Sequence, residues 1–106
     1  MSKTIWIAED GTVLRESLAE LLGQEGYNVI QAPNGQAAYD LVRSRPVDLV
    51  LSDVRMPEMD GMEVCRQLKS NPETEEIPVI FLTAKSEVAD IKAGLELGAV
   101  DYIVKP

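Results

Sequence analysis

Short apolar runs alternate with longer amphipathic stretches along this chain. Thr4–Ala8 (TIWIA), Tyr27–Gln31 (YNVIQ), Val47–Asp53 (VDLVLSD), Pro78–Leu82 (PVIFL) and Asp101–Val104 (DYIV) read as strands. In the third of these only Asp48 interrupts the apolar residues, as expected for a strand covered on both faces of a parallel sheet. Between the runs the apolar positions recur at helical spacing. Val13, Leu14, Leu18, Leu21 and Leu22 form one stripe, ended by Gly26, and Ala37, Ala38, Leu41 and Val42 form a second within Gly35–Ser44. Met62, Val64, Cys65 and Leu68 mark a helix over Met62–Ser70, with Asp60 placed to cap it. Val88, Ile91 and Leu95 mark another over Glu87–Leu97, ended by Gly98.

Strand and helix thus alternate four times before a last strand. Short loops and right-handed crossovers turn that order into a doubly wound, five-stranded parallel sheet, predicted in the order 2-1-3-4-5. The switch point of that order lies between the first and third strands, and ligands bind at the carboxyl ends of the strands there. The first strand ends on Glu9-Asp10, and the third ends on Ser52-Asp53 before a loop stiffened at Met56-Pro57. Three carboxylates are therefore expected in one crevice.

Composition narrows what that crevice can do. At 106 residues the chain is sized for one domain, and its 45% hydrophobic and 26% charged residues are ordinary for a globular protein. Net charge of −8 argues against nucleic acid or an anionic membrane as a direct partner. Histidine is absent, which removes Ser-His-Asp and Cys-His nucleophile systems and imidazole-ligated zinc. The single cysteine, Cys65, cannot form an intrachain disulfide, and no apolar run is long enough to span a membrane. A cytoplasmic location is expected.

Clustered carboxylates repel unless one is protonated or a cation lies among them. A hard divalent ion with oxygen ligands, Mg²⁺ above all, answers this need. Asp10 and Asp53 are the expected direct ligands, Glu9 a water-mediated one, and the Arg55 backbone carbonyl a further oxygen. The fourth and fifth strands bring Thr83, a hydroxyl donor, and Lys105, a point charge suited to phosphate, to the same edge. Metal-binding acids, a nucleophilic carboxylate, a hydroxyl and an ammonium are what phosphoryl transfer to an aspartate requires.

Taken together, Glu9-Asp10 after a strand, Asp53 with Met56-Pro57 and Asp60-Gly61, Thr83-Ala84 and Lys105-Pro106 resemble the receiver domain of two-component response regulators along essentially the whole chain. The resemblance implies Asp53 as phosphoacceptor from a histidine kinase or phosphotransfer protein. It implies Glu9, Asp10, Asp53 and the Arg55 carbonyl as the metal site, Thr83 and Lys105 as phosphoryl ligands, and Tyr102 as an aromatic that turns inward when Thr83 moves. A cis Lys105-Pro106 bond is also implied. Such a domain is a signalling switch, not a turnover enzyme, and its effector lies outside this chain.

Receivers normally continue with a fifth helix, whereas this chain stops at Pro106. Residues 1–106 are accordingly expected to form a truncated receiver that exposes apolar surface, and to bury it in a homodimer or a strand-exchanged dimer. Two other readings compete. A small phosphatase of the haloacid-dehalogenase type also uses a nucleophilic aspartate and Mg²⁺, but needs an acid where this chain has Arg55. A receiver-like module could instead dock partners without being phosphorylated. A flavodoxin-like nucleotide carrier is disfavoured by the acidic first loop, Glu9-Asp10-Gly11-Thr12.

Overall fold

The computed structural model describes residues 3–32, 47–54, 61–84, 95–96 and 98–105. Strand β1 is Thr4–Ala8, helix α1 Thr12–Gln24, β2 Asn28–Ala32, β3 Leu49–Asp53, helix α2 Gly61–Ser70, β4 Val79–Thr83 and β5 Asp101–Val104. The expected helices over Gly35–Ser44 and Glu87–Leu97 lie largely outside the described residues, as do Arg55, Asp60 and the Lys105-Pro106 bond. The strands form one parallel sheet in the order β2-β1-β3-β4-β5, as the alternation predicts.

Side chains alternate across a strand, so the central strands feed two cores. Trp6 and Ala8 of β1 face one side with Val50, Val79 and Phe81, and there they meet Val64, Cys65 and Leu68 of α2. Ile5 and Ile7 face the other side with Leu51 and Leu82, beneath Leu18, Ala19 and Leu22 of α1. Asp48, the one break in the third apolar run, lies just before β3. Its Oδ2 accepts the Thr4 N–H at 2.7 Å, while its own N–H donates to the Thr4 carbonyl at 2.9 Å. That acid sets the register in which β3 enters beside β1.

Helix α1 departs from expectation. Val13 is 81% exposed and Leu21 55%, although both belong to its apolar stripe. Nine residues separate Val13 from Leu22, about two and a half helical turns, so Val13 points away when Leu22 points in. The helix ends as its sequence implies. Gly26 takes φ 95°, the Gly26 N–H donates to the Gly23 carbonyl at 3.1 Å, and the Tyr27 N–H donates to the Leu22 carbonyl at 3.2 Å. This left-handed glycine closure satisfies two carbonyls the helix leaves open.

Strand β5 carries the sheet's exposed apolar residues, with Ile103 50% and Val104 41% accessible. Ile103 stands opposite Leu82 and so belongs to the face that α1 partly covers. Tyr102, on the other face, is half-buried against the core that contains Phe81.

Candidate functional site

Parallel pairing brings the carboxyl ends of β1, β3 and β4 to one edge, and each ends on or leads directly into a polar residue. β1 runs into Glu9-Asp10, β3 ends on Asp53 and β4 on Thr83. Register delivers the fourth group: Val104 pairs with Thr83, the Lys105 N–H donates to the Thr83 carbonyl at 2.7 Å, and the Lys105 side chain reaches back over the edge.

Lys105 Nζ lies 2.7 Å from Asp53 Oδ2 and 3.0 Å from Glu9 Oε2, and it bridges two acids buried to 3% and 2% accessibility. Asp10, exposed, completes a triangle of carboxylates with ligand oxygens within 4.8 Å of one another. Thr83 is fully buried, and its hydroxyl donates to the Ala84 carbonyl at 3.2 Å. The structure thus gathers Glu9, Asp10, Asp53 and Lys105 tightly, with Thr83 ending the neighbouring strand. Arg55 lies outside the described residues.

Burial first, then the neighbouring Asp53, push the Glu9 carboxyl above its ordinary 4.5, against the opposing pull of the Gly11 N–H at 3.1 Å and of Lys105. Burial works against the Lys105 ammonium too. Its hydrogen bonds to Asp53 and Glu9 outweigh that and hold its pKa above 10.5. Donor chemistry here is all oxygen, and the negative charge exceeds what one ammonium can offset. The three carboxylates therefore fit a hard divalent cation.

A raised Glu9 pKa means that the folded state binds this proton more tightly than the unfolded chain does. Its contribution to stability is favourable below the folded pKa and is lost as pH rises through that value. Glu9→Gln, neutral at every pH, is expected to unfold at a higher temperature than the native chain in EDTA at about pH 8, with the gap closing toward pH 4.5. Thermal melts across that range check the sign. A gap that widens on acidification would refute it.

Sequence reasoning missed Arg15 altogether, and missed the contacts that Ser52 and Gly61 make. Arg15, in the opening of α1, donates from Nη1 to the Glu9 carbonyl at 2.9 Å and from Nε to Gln31 Oε1 at 3.2 Å. Its signal was available, because a cation near a helix N-terminus opposes the helix dipole and calls for a specific partner. Ser52 Oγ donates to the Asp53 carbonyl at 3.1 Å, and Gly61 lies against that same carbonyl. Neither closeness has a signature in spacing.

Fold and site together define a doubly wound domain that holds an acidic, cation-ready cluster at its switch point. The chain belongs to the response regulator receiver domain family, whose sequence profile matches residues 5–106. It is 48% identical over 103 residues to a Vibrio cholerae protein named as a cyclic di-GMP phosphodiesterase, covering 97% of this chain and 23% of that protein. It is 43% identical over 106 residues to the response regulator MprA of Mycolicibacterium vanbaalenii, covering 100% of this chain and 45% of that one. The chain thus spans less than half the length of these curated relatives.

Among solved structures, the receiver domain of a Syntrophus aciditrophicus signal transduction histidine kinase superposes with TM-score 0.90 at 42% identity, covering 99% of this chain and 80% of that one. The receiver domain of the Pseudomonas aeruginosa sensor histidine kinase PA1611 gives TM-score 0.90 at 28% identity, covering 100% and 87%. That structure has a magnesium ion coordinated in its active site cleft. Among the described residues of the present chain, no helix is long and apolar enough to cross a membrane.

Proposed function

We propose that this receiver domain accepts a phosphoryl group on Asp53 in a Mg²⁺-dependent reaction. The observation that carries the reading is Asp53 at the end of β3, 2.7 Å from Lys105 Nζ and at one corner of the triangle it forms with Glu9 and Asp10. A divalent ion held by these acids, with the Arg55 carbonyl as a further ligand, would offset the charge gathered on the transferring group. Asp53 attacks phosphorus in line through a carboxylate oxygen. The bond from phosphorus to the donor nitrogen breaks, and the donor imidazole leaves with that electron pair. Lys105 turns from Asp53 to an equatorial phosphoryl oxygen. The Thr83 hydroxyl leaves the Ala84 carbonyl and donates to another, and Tyr102, half-buried beside Phe81, shifts inward behind it.

In this reading the chain is a stoichiometric phosphoacceptor in the cytoplasm, loaded by a histidine kinase or phosphotransfer protein and read by an effector. Intact mass after incubation with acetyl phosphate and Mg²⁺ tests it. The expected result is a gain of one phosphoryl group that EDTA abolishes. A folded chain that takes up none under any condition would leave a docking module that works without phosphorylation.

A further inference from the structure

Glu9 is gripped by both of its backbone groups. Its N–H donates to the Ala32 carbonyl at 3.1 Å, at the end of β2. Its carbonyl accepts Arg15 Nη1 at 2.9 Å, and the same guanidinium holds Gln31 Oε1, one residue before Ala32, at 3.2 Å. Arg15 is itself anchored, since its N–H donates to the Gly11 carbonyl at 2.9 Å. The guanidinium therefore ties three things together: the acidic turn, the start of α1 and the neighbouring strand.

The Glu9 carbonyl belongs to the peptide that leads into Asp10. Because a peptide unit is planar, fixing that carbonyl fixes the plane and hence the direction in which the Asp10 Cα leaves the strand. Asp10 is the exposed member of the carboxylate triangle. We propose that Arg15 is a positioning residue, a forked clamp from β2 to the Glu9 carbonyl that presents Asp10 to the cation alongside Glu9 and Asp53. This rests on the reading of those three acids as the Mg²⁺ site.

Two physical effects of Arg15 oppose each other, and that makes the proposal testable by sign. Coulomb's law alone says that removing a cation near the acids should tighten Mg²⁺ binding. Positioning says that it should weaken it. Calorimetric Mg²⁺ titration of Arg15→Gln is expected to give about tenfold weaker binding, the scale of losing an outer support of a metal ligand. Arg15→Lys keeps the charge but loses the fork, and should weaken binding nearly as much. Gln31→Ala, a change at an exposed side chain that threatens the fold little, removes one anchor and should cost roughly threefold.

Phosphorylation by acetyl phosphate should need correspondingly more Mg²⁺, yet reach the native rate at saturation. Amide exchange at Asp10 and Gly11 in EDTA should quicken in all three variants. Unchanged or tighter Mg²⁺ binding in Arg15→Gln and Gln31→Ala overturns the proposal, and so does a fall in melting temperature with Mg²⁺ affinity intact. Failure of the native chain to bind Mg²⁺ is a different result. That overturns the assignment of the acids themselves.

Discussion

Asp53→Asn is expected to take up no phosphoryl group at all from acetyl phosphate and Mg²⁺, while folding as well as the native chain. An amide has the outline of a carboxylate but neither its charge nor its nucleophilic oxygen, so the loss is chemical and not steric. The surroundings predict that the fold survives. Lys105 loses the charge of its 2.7 Å partner, an amide oxygen being only a neutral acceptor there, but keeps the carboxylate of Glu9 at 3.0 Å, so the half-buried ammonium is not left without a counter-charge. The carboxylates at this edge fall from three to two against one lysine, which relieves repulsion. Intact mass and a thermal melt in EDTA check both halves. A persistent adduct would place the nucleophile elsewhere, and a collapsed fold would show that the Asp53–Lys105 pair holds the structure together.

Gly61→Ala is expected to produce the largest loss of stability of any single methyl addition at a described glycine. A Cβ at Gly61 would stand 2.0 Å from the Asp53 carbonyl oxygen, 2.9 Å from the carbonyl carbon and 3.1 Å from Ser52 Oγ. The first two are backbone atoms of a central strand and cannot rotate away. Ordinary contact needs about 3.5 Å, so α2 and the end of β3 must part by more than roughly 1 Å. The Gly61 N–H, which donates to the Val54 carbonyl at 2.9 Å, ties the two segments together at that point.

Overpacking of this kind costs about 3 kcal/mol or more, a large share of the roughly 5–15 kcal/mol that holds a small domain folded. For a chain of this size that corresponds to a fall of roughly 10–20 °C in melting temperature. The damage lands on Asp53 itself. A displacement of about 1 Å in a reacting group can lower the rate on the order of a hundredfold, so phosphorylation should fall steeply even below the melting point. Gly11→Ala is the control. Its Cβ would sit 3.4 Å from Glu9 Oε1, at ordinary contact distance, and the cost should stay under about 1 kcal/mol. Equal melting temperatures for the two variants would refute the steric account of Gly61.

Much of this molecule is legible in one dimension because strand and helix periods report which side of an element is buried. TIWIA, VDLVL and PVIFL announced three central strands, and observed limits differ from expectation by about two residues or fewer, as helix and strand ends commonly do. Strand order follows from alternation and crossover handedness. Acids at the ends of the first and third strands then have to meet, because the switch point lies between those strands.

What could not be read needed the distances between elements. The stripe on α1 named five apolar residues; helical phase turns Val13 away from Leu22, but how the helix lies on the sheet decided that Leu18 and Leu22 cover Ile5 and Ile7 while Leu21 faces water. Lys105 was legible as a strand-end cation. That it bridges Asp53 and Glu9, 96 residues earlier, follows from the pairing of β5 with β4. Arg15 was legible as a helix-start cation in need of a partner, but its reach across to β2, like the lack of room for one methyl between Gly61 and Asp53, is a property of packed neighbours. Local periodicity records how a residue faces relative to its own element. The depth of a contact, and whether a charge finds one partner or two, are set by how separate elements dock.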